Sequence, residues 1–409
     1  MEFNIFTLRN GIRVIHKETK GSEVSHCGLL INAGSRDESR NEQGLAHFIE
    51  HTIFKGTKKR KAFHILNRLD AVGGELNAYT SKEVTCVYAS FLNIHGERAI
   101  ELLADITFSS TFPEKEIAKE KDVIIDEINS YLDNPYEKIY DDFEEQIFAP
   151  HPIGRNILGT IESLKNIKRQ NLVDFVLNHY ATNRMVFSFV GDISAQRLEQ
   201  LVEKHFSPIP LNTSKFKRKP FNSYKPSQKS EKKNTYQAHQ IIGNIAYARA
   251  HKNRTGLVLL NNLLGGPAMN SRLNLAIREK YGFTYNLESN YSAYTDTGIF
   301  SIYLGTDNQH LEKTTQLVIK ELNKLKNIKL GTQQLHSAKM QLTGQIALAQ
   351  ESKAELMLAI GKSLLFHNRV ESMPEIYAKI EALTAENLIA IANEVFDEKQ
   401  LSSLTFSGK

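Results

Sequence analysis

GLAHFIEHTIFKG, at residues 44–56, is the stretch from which the fold and the chemistry of this chain are predicted. His47 and His51 are four residues apart, and Glu50 follows His47 by three. On an α-helix these spacings place all three side chains on one side, about one turn apart. A helix that begins near Glu42 would therefore present two imidazoles and a carboxylate on a single face.

Two neutral imidazoles in this arrangement can occupy two corners of a tetrahedral Zn²⁺ site. Glu50 could reach a water molecule on the metal without binding the metal, and H-x-x-E-H is the inverted zincin pattern. The alternative is an amphipathic helix with histidines on its polar face, since Gly44 and Gly56 would fit the ends of such a helix. A match of five residues does not decide between the two.

A catalytic zinc site needs a third protein ligand, and a predicted helix at residues 113–132, PEKEIAKEKDVIIDEINSYL, supplies candidates. Glu120 and Glu127 are seven residues apart and share a face, with Val123 and Ile124 between them. A carboxylate beside apolar residues must find a partner or raise its pKa, and a metal ion would be such a partner. The alternative is an ordinary solvated helix face.

The order of predicted elements is similar in the two halves of the chain. Strands are predicted near 3–8, 12–17, 25–33, 75–80, 84–92, 185–191, 237–249, 284–292 and 297–304. Helices are predicted to begin near 42, 63, 95, 114, 135, 169, 195, 256, 271, 309, 331, 352 and 385.

Internal similarity indicates a duplicated unit. Residues 73–91, GGELNAYTSKEVTCVYASF, and 281–305, YGFTYNLESNYSAYTDTGIFSIYLG, each contain a Gly turn and paired strands before a helix. We predict an α+β protein with two homologous domains, each a largely antiparallel β-sheet with helices packed on it. When GLVLLNNLLGG at 256–266 is aligned with the first stretch, Leu259 and Leu263 take the histidine positions. Only one half would then bind metal.

A basic segment poor in apolar residues, 211–235, separates the halves. Eight Lys or Arg residues against one Glu give it a net charge of +7, which leaves about −2 for the rest of a chain of net charge +5. The composition predicts an exposed linker between a zinc-bearing domain at 1–210 and a metal-free domain at 236–409. Nucleic-acid binding is not expected, because it needs basic and aromatic residues on one folded face.

The composition is that of a globular protein, with 41% hydrophobic and 24% charged residues among 409. No stretch approaches the ~18 consecutive apolar residues of a membrane span. Residues 1–18 alternate in polarity and predict a β-hairpin that turns at Asn10 and Gly11 instead of a signal peptide. We therefore expect a cytoplasmic protein with no membrane partner, in which Cys27 and Cys86 are buried, reduced thiols.

The chain resembles the pitrilysin-like, or inverzincin, metallopeptidases, especially the single-repeat branch that includes the mitochondrial processing peptidase. The resemblance covers nearly the whole chain. Its pieces are NAGSRDESRNEQGLAHFIEHTIFKGT (32–57), GGELNAYTSKEVTCVYASF (73–91), KEKDVIIDEINSY (119–131), HPIGRNILGT (151–160), NRMVFSFVGD (183–192) and SRLNLAIREKYGFTYNLESNYSAYTDTGIFSIYLGT (271–306).

The resemblance implies roles for individual residues. A third zinc ligand is expected 76 residues after the second histidine, where Glu127 stands, and Glu120 is expected to support a ligand histidine. An Arg–Tyr pair that binds the backbone and carbonyl oxygen of a peptide is matched by Arg278 and Tyr285. The turn GGPAMNSRL departs from the usual pattern at Pro267, which leaves the local turn open.

The implied function is zinc-dependent endopeptidase hydrolysis of peptides or unfolded polypeptide segments inside a closed clamshell chamber. One Zn²⁺ per chain would be held by His47, His51 and Glu127, with Glu50 as the general base. The peptide substrate would lie extended along the strand at 74–79, against Asn77, Ala78 and Tyr79.

The resemblance also bears on assembly. Full-length family members close two double-domain halves with the Arg and Tyr opposite the zinc, so a homodimer of this chain would complete each site in trans. The alternative function is a catalytically silent scaffold or partner subunit of the same fold. A third option, metal storage, gives no role to Glu50, Arg278 or Tyr285.

Overall fold

The computed structural model describes residues 3–214 and 216–408. Lys215, one of the basic residues of the predicted linker, lies outside the described residues. The chain forms two compact units, each drawn from three segments. The first unit contains Met1–Asn129, Arg155–Lys219 and Leu348–Glu371, and the second contains Ser130–Gly154, Pro220–Ala347 and Ser372–Lys409.

Strands and helices are numbered in chain order. The strands are β1 (Asn4–Thr7), β2 (Arg13–Glu18), β3 (Val24–Ile31), β4 (Glu75–Thr80), β5 (Thr85–Leu92), β6 (Met185–Gly191), β7 (Gln228–Lys232), β8 (Ala238–Ala246), β9 (Thr284–Ala293), β10 (Gly298–Thr306) and β11 (Ser402–Ser407). The α-helices are α1 (Leu45–Thr52), α2 (Ala62–Asp70), α3 (Gly96–Phe108), α4 (Glu114–Asp133), α5 (Pro135–Phe148), α6 (Ile161–Asn166), α7 (Arg169–His179), α8 (Ala195–Phe206), α9 (Arg254–Gly265), α10 (Leu311–Asn327), α11 (Thr332–Ala349), α12 (Lys353–His367), α13 (Met373–Glu381) and α14 (Ala385–Val395).

The first unit is built on a six-stranded sheet in the order β1-β2-β6-β3-β5-β4. Neighbouring strands are antiparallel except for β2 and β6, which are parallel. The central strands β3 and β6 are largely buried, as expected for strands that are covered on both faces. β4 is an edge strand, so one side of its backbone has no neighbouring strand among the described residues.

The second unit has a five-stranded sheet in the order β7-β11-β8-β10-β9, with one parallel pair, β7 and β11. The two sheets correspond strand by strand from the parallel pair to the edge strand. The order β2-β6-β3-β5-β4 in the first unit matches the order β7-β11-β8-β10-β9 in the second. The next long helix after β3 is α1, and the next after β8 is α9. The prediction of an α+β protein with two related, largely antiparallel domains is confirmed.

Each unit is completed by a helix from the other half of the sequence. α12 packs against β3 and β6 of the first sheet, and α5 packs against β8 and β11, the corresponding strands of the second. The domains predicted at 1–210 and 236–409 differ from the observed units, because they assign α5 to the first half and α12 to the second. The composition of a segment does not indicate which distant strands a helix packs against.

Glycine residues leave room for α12 on the first sheet and for α5 on the second, at corresponding positions of β3 and β8. Gly28 on β3 and Gly243 on β8 are each paired with a serine of the neighbouring strand. A Cβ at Gly28 would lie 3.0 Å from the sulfur of Met357 on α12, and one at Gly243 would lie 3.0 Å from the ring of Phe143 on α5. The close approach of α12 to β3 therefore depends on Gly28, whereas a Cβ at Gly243 would also lie 2.2 Å from the carbonyl oxygen of Phe300 on β10.

Apolar clusters lie on the faces of the two sheets. In the first unit, one cluster joins the sheet to α12 and includes Leu30, Cys86, Val186, Met357 and Leu364. In the second unit, one cluster joins the sheet to α9, α10 and α14, and another joins it to α5. Burial of these side chains is the main contribution to the stability of each unit.

The segment 211–235 is not exposed throughout, in contrast to the predicted solvated linker. Arg218 forms two hydrogen bonds with the carboxylate of Asp37, at 2.7 and 2.8 Å, and both side chains are largely buried. Phe221 is buried 5.0 Å from the ring of Phe148, and β7 follows it. Arg218 is largely buried and Phe221 is buried, but the average composition of the segment is polar. Composition therefore predicted an exposed linker throughout.

Neither a membrane span nor a disulfide is found among the described residues. No helix there combines the length and the apolar character needed to cross a bilayer. Cys27 and Cys86 are buried free thiols, as predicted, and burial raises the pKa of both.

Candidate metal centre

α1 carries the HFIEH motif on a helix anchored by its other face. Phe48 and Ile49 are fully buried in the first unit. His47 is buried as well, whereas Glu50 and His51 are half-buried. The two imidazole rings lie 4.6 Å apart between centroids at an interplanar angle of 65°, as the spacing of four residues predicts.

Glu127 on α4 approaches both histidines. Its Oε2 atom lies 3.8 Å from Nε2 of His47 and 3.6 Å from Nε2 of His51. One ligand atom from each of the three residues lies within 4.8 Å of the others. Among the described residues, this is the cluster of His, Cys, Asp or Glu that could hold a metal ion.

The distances suit zinc. Bonds of about 2.0–2.1 Å at tetrahedral angles would separate ligand atoms by about 3.4 Å. The observed 3.6 and 3.8 Å are near this value and too long for hydrogen bonds. Two imidazoles and one carboxylate are also a ligand set that catalytic zinc uses, with the fourth corner left to water or substrate.

Burial keeps the imidazole of His47 in the neutral form that a metal requires. It lowers the pKa of His47 to about 3, with a smaller contribution from the nearby His51. The Nδ1 atom of His47 has no hydrogen-bond partner among the described residues. A neutral ring that carries its single proton on Nδ1 leaves its Nε2 lone pair free for a metal.

His51 is oriented by a carboxylate from α4. The Nδ1 atom of His51 lies 3.2 Å from Oε2 of the buried Glu120, and the other carboxylate oxygen lies 2.7 Å from Nζ of Lys55. If Nδ1 donates its proton to Glu120, the Nε2 lone pair faces Glu127. Lys55 compensates the charge of the buried carboxylate.

Glu50 has the environment of a proton acceptor. Burial raises the pKa of its carboxyl group, while hydrogen bonds from Thr80 and the neighbouring His51 oppose the rise. A carboxyl group whose pKa is moved towards neutral pH exchanges protons more readily there. Thr80 stands at the end of β4, so the edge strand and α1 meet at this carboxylate.

The three residues predicted to contact substrate lie on β4 with different exposures. Asn77 is exposed and Ala78 is buried. The ring of Tyr79 lies on the opposite face of the sheet from Ala78, because side chains alternate along a strand. There Nζ of Lys362 on α12 lies 5.0 Å from the ring. The ring of Tyr79 is therefore directed away from the face on which Thr80 meets Glu50.

Arg278 and Tyr285 belong to the second unit, whereas the three converging residues belong to the first. Arg278 lies in a π-helical segment, Asn274–Glu279, and Tyr285 lies on β9, the edge strand that corresponds to β4. Tyr285 is 80% exposed. π-Helical segments occur frequently at functional sites. Pro267, where the sequence departs from the family pattern, lies just after α9.

Lys55 and Thr80 are neighbours of the proposed metal site that were not predicted from the sequence. Lys55 follows His51 by four residues, and this spacing could have indicated it as a neighbour of the histidine. Thr80 could not have been found in this way, because its contact with Glu50 depends on the packing of β4 against α1. The apolar face of α4 also differs from the prediction, since Ile124 is buried but Val123 is half exposed.

Two models of protein families match the chain. "Insulinase (Peptidase family M16)" matches residues 13–161, and "Peptidase M16 inactive domain" matches residues 166–342. The first range contains the three converging residues and Glu50. The second contains α9, in which Leu259 and Leu263 align with the histidines when the two Gly-Leu pairs are aligned.

Curated relatives match over almost their full length. The uncharacterized zinc protease YmxG of Bacillus subtilis is 34% identical over 96% of this chain and 95% of its own. The chain belongs to peptidase family M16. An M16 relative from Rickettsia felis, also named an uncharacterized zinc protease, is 31% identical over 98% of this chain and 97% of its own. These names indicate a zinc-dependent, peptidase-like role for the two relatives.

Two solved structures share the fold of this M16 protein. A protease from Helicobacter pylori superposes with a TM-score of 0.91 at 23% identity and covers 99% of both chains. A peptidase M16 inactive domain from Pseudomonas fluorescens superposes with a TM-score of 0.93 at 21% identity, over 100% of this chain and 98% of the other. At these identities the likeness is one of fold.

Proposed function

We propose that this M16 protein is a zinc-dependent endopeptidase that hydrolyses peptides or unfolded polypeptide segments inside a closed clamshell chamber. The observation that carries the proposal is the convergence of His47, His51 and Glu127 at spacings that suit tetrahedral zinc. One Zn²⁺ per chain is proposed, because α9 has Leu259 and Leu263 where α1 has histidines.

The side chains around the zinc position have separate tasks in this proposal. Zinc held there would supply a Lewis acid for the peptide carbonyl and lower the pKa of a water molecule towards about 7. Glu50 accepts a proton from the attacking water and passes it to the leaving amine. Glu120 holds the ring of His51 through Nδ1, which keeps Nε2 directed at the metal.

The proposed substrate binds as an added strand. The outer edge of β4 offers backbone groups to an extended peptide, beside the exposed Asn77 and close to Glu50 through Thr80. Backbone groups alternate sides along a strand, so Ala78 and Tyr79 cannot both bond a peptide on the outer edge. The N–H of Ala78 donates to Oδ1 of Asn77 at 2.8 Å instead of to β5, so Ala78 is the residue that would offer its backbone to the peptide. Because backbone pairing tolerates many sequences, selectivity would come mainly from the size and charge of the chamber.

We further propose that a homodimer completes each site in trans. Tyr285 of a second copy would donate a hydrogen bond to the developing oxyanion, and Arg278 of that copy would bind the substrate backbone. The high exposure of Tyr285 supports this role, since its hydroxyl is accessible to a partner or a peptide. A cytoplasmic location and the absence of nucleic-acid and membrane partners stay predictions.

The rival function is a catalytically silent scaffold or partner subunit. Loss of ligand positions would be expected of such a subunit, and this chain keeps His47, Glu50, His51 and Glu127. The test is turnover of a quenched, unstructured peptide by the wild type and by Glu50→Gln, each with its zinc content measured. We expect both proteins to bind zinc and only the wild type to hydrolyse the peptide.

Two outcomes would reject the enzyme. One is equal turnover by the wild type and Glu50→Gln. The other is no turnover of a broad peptide pool by wild type that is fully loaded with zinc, which would favour the silent subunit.

A further inference from the structure

The helix that carries the zinc motif begins without a side-chain cap. Its N-cap residue is Gly44, whose φ of +87° lies in the left-handed region. A Cβ here would lie 2.4 Å from the carbonyl oxygen of Leu158, and a Cβ at Gly159 would lie 2.3 Å from that of Gln43. Backbone packing therefore requires glycine at the position where Ser, Thr, Asp or Asn would cap a helix.

A buried carboxylate from outside the helix satisfies the first turn instead. Glu38 accepts a hydrogen bond from the N–H of Gly44 at 2.9 Å through Oε2 and one from the N–H of Ala46 at 2.8 Å through Oε1. These N–H groups have no acceptor within the helix. The N-terminal end of the helix dipole also favours a negative charge at this place.

Two cations lie near Glu38, and each donates to a backbone oxygen instead of to the carboxyl group. Arg155 donates from Nη1 to the backbone oxygen of Glu38 at 3.0 Å, and Lys82 donates to the backbone oxygen of Arg155 at 2.7 Å. Burial raises the pKa of Glu38 to about 8, while the two N–H donors, Arg155 and Lys82 oppose the rise. Each oxygen of Glu38 accepts one N–H of the first turn, so the geometry of these two hydrogen bonds, and not the charge of Glu38, is what holds the turn.

The capped turn adjoins a proposed zinc ligand. Ala46 precedes His47 directly, in a helix of only eight residues. A small shift of the first turn would therefore change the separation of His47 Nε2 from Glu127 Oε2, which is 3.8 Å. Metal–ligand distances in zinc sites lie within about 0.2 Å of their standard values, so such a shift would weaken binding.

We propose that Glu38 is a positioning residue for the metal site, which fixes the first turn of α1 and thereby the approach of His47 to Glu127. Its effect on turnover rests on the proposed peptidase function. Its effects on zinc affinity and on amide exchange do not rest on that function. A failure of the positioning proposal can therefore be distinguished from a failure of the peptidase proposal. A residue that only supports the fold would change stability and amide exchange without changing zinc affinity.

The first test is Glu38→Gln in the full chain, which keeps the size of the side chain and removes its charge. Gln has one acceptor oxygen and an NH2 group in place of the other, so it can serve only one of the two N–H groups. Hydrogen exchange of the amide that loses its acceptor, Gly44 or Ala46, should accelerate at least tenfold. Zinc affinity, measured by competition with a chelator, should fall by about tenfold or more. In an active wild type, kcat should fall while KM stays the same.

The matched control is Glu321→Gln. Glu321 is a buried carboxylate in the second unit, paired with Lys324 at 2.6 Å. This variant should lose stability while zinc affinity and exchange at Gly44 and Ala46 stay at wild-type values. Unchanged zinc affinity in Glu38→Gln would overturn the proposal, and so would an equal loss of affinity in the control at equal stability.

A second variant covers the case in which Glu38→Gln does not fold. Glu38→Asp keeps the charge but withdraws the carboxylate by one methylene group, so it cannot reach both N–H groups. We expect a folded protein with intermediate zinc affinity and partly accelerated exchange at Gly44 or Ala46. Wild-type values for both in Glu38→Asp would contradict the proposal.

Discussion

His47 and His51 differ in how their rings are held. His47 is fixed by burial and by the start of α1, whereas His51 is half-buried and depends on its contact with Glu120. Lys55 in turn compensates Glu120 at 2.7 Å. The orientation of His51 is thus controlled by a chain of two charged side chains, neither of which is a proposed zinc ligand.

Replacing Lys55 by Met should weaken zinc binding. A buried carboxylate without its cation is costly, so Glu120 would turn towards solvent and release the ring of His51. We expect zinc affinity to fall about tenfold, as for other partners of ligand histidines. Chelator competition measures the effect. Lys119→Met, which removes an exposed ion pair with Glu116 on α4, is the control and should change nothing.

His16 should make the stability of the protein sensitive to acid. Its side chain on β2 is fully buried, and burial lowers its pKa below the usual 6.5. Below pH 6.5 the unfolded chain therefore binds more protons than the folded one, and stability falls until the pH reaches the lowered pKa. The contribution at pH 5.5 is at most about 1.4 kcal/mol.

Urea unfolding of metal-free His16→Leu at pH 7.5 and 5.5 tests this assignment. The loss of stability between the two pH values should be smaller than in the wild type. His64→Leu, at an exposed position on α2, should keep the wild-type difference. An unchanged difference in His16→Leu would show that other groups cause the acid sensitivity.

At the scale of elements, the proposed metal site is formed by two helices and one edge strand of the first unit. α1 presents the histidines, α4 contributes Glu120 and Glu127, and the end of β4 contributes Thr80. The sequence predicted the two helices well, because the spacings of four and seven residues hold on any regular helix. It could not predict which atoms meet, since the packing of α1 against β4 brings Thr80 to Glu50.

Two strands without a strong local sequence pattern, β7 and β11, were not predicted from the sequence. β7 is fully exposed and lies within the basic segment, so its sequence QKSEK has none of the usual signals of a strand. β11, SSLTFS, was overlooked at the C-terminal end of the chain. Both strands are stabilised by pairing with distant strands, which local sequence does not reveal.

The packing of α12 on the first sheet should be intolerant of added volume. A Cβ at Gly361 would lie 2.6 Å from Cδ1 of Leu30 and 3.1 Å from Cβ of Ser188. Gly361→Ala should therefore destabilise the protein by about 1–3 kcal/mol, despite the higher helix propensity of Ala. Gly344→Ala on α11 is the matched control. It meets no atom within 4 Å and should stabilise by about 0.5–1 kcal/mol.

Thermal or urea unfolding measures both glycine variants. If Gly361→Ala is as stable as Gly344→Ala, the close contact between α12 and the sheet is not needed for stability.

At the scale of the whole molecule, the proposed homodimer can be tested by mixing two inactive variants. Glu50→Gln keeps Arg278 and Tyr285, and the double variant Arg278→Ala, Tyr285→Phe keeps Glu50. If each site combines residues of two copies, a mixed dimer has one complete site. Random exchange of subunits should then restore about a quarter of wild-type activity.

The control for this experiment is the activity of each variant after exchange with itself, which should stay near background. No recovery in the mixture, with subunit exchange verified by mass, would show that the Arg–Tyr pair does not act across the dimer. Native sizing that shows a fully active 46.4 kDa monomer would do the same.

The order of the segments has a consequence for synthesis on the ribosome. The first unit needs α12, which ends at His367, although the last earlier segment of that unit ends at Lys219. At about 5–20 residues per second, translation of the intervening chain takes on the order of ten seconds. Throughout that time the face of the sheet around Leu30 and Val186 has no covering helix. The nascent chain must therefore rely on chaperones or on rapid late docking, and substitutions in α12 could reduce its yield in cells more than the stability of the finished protein suggests.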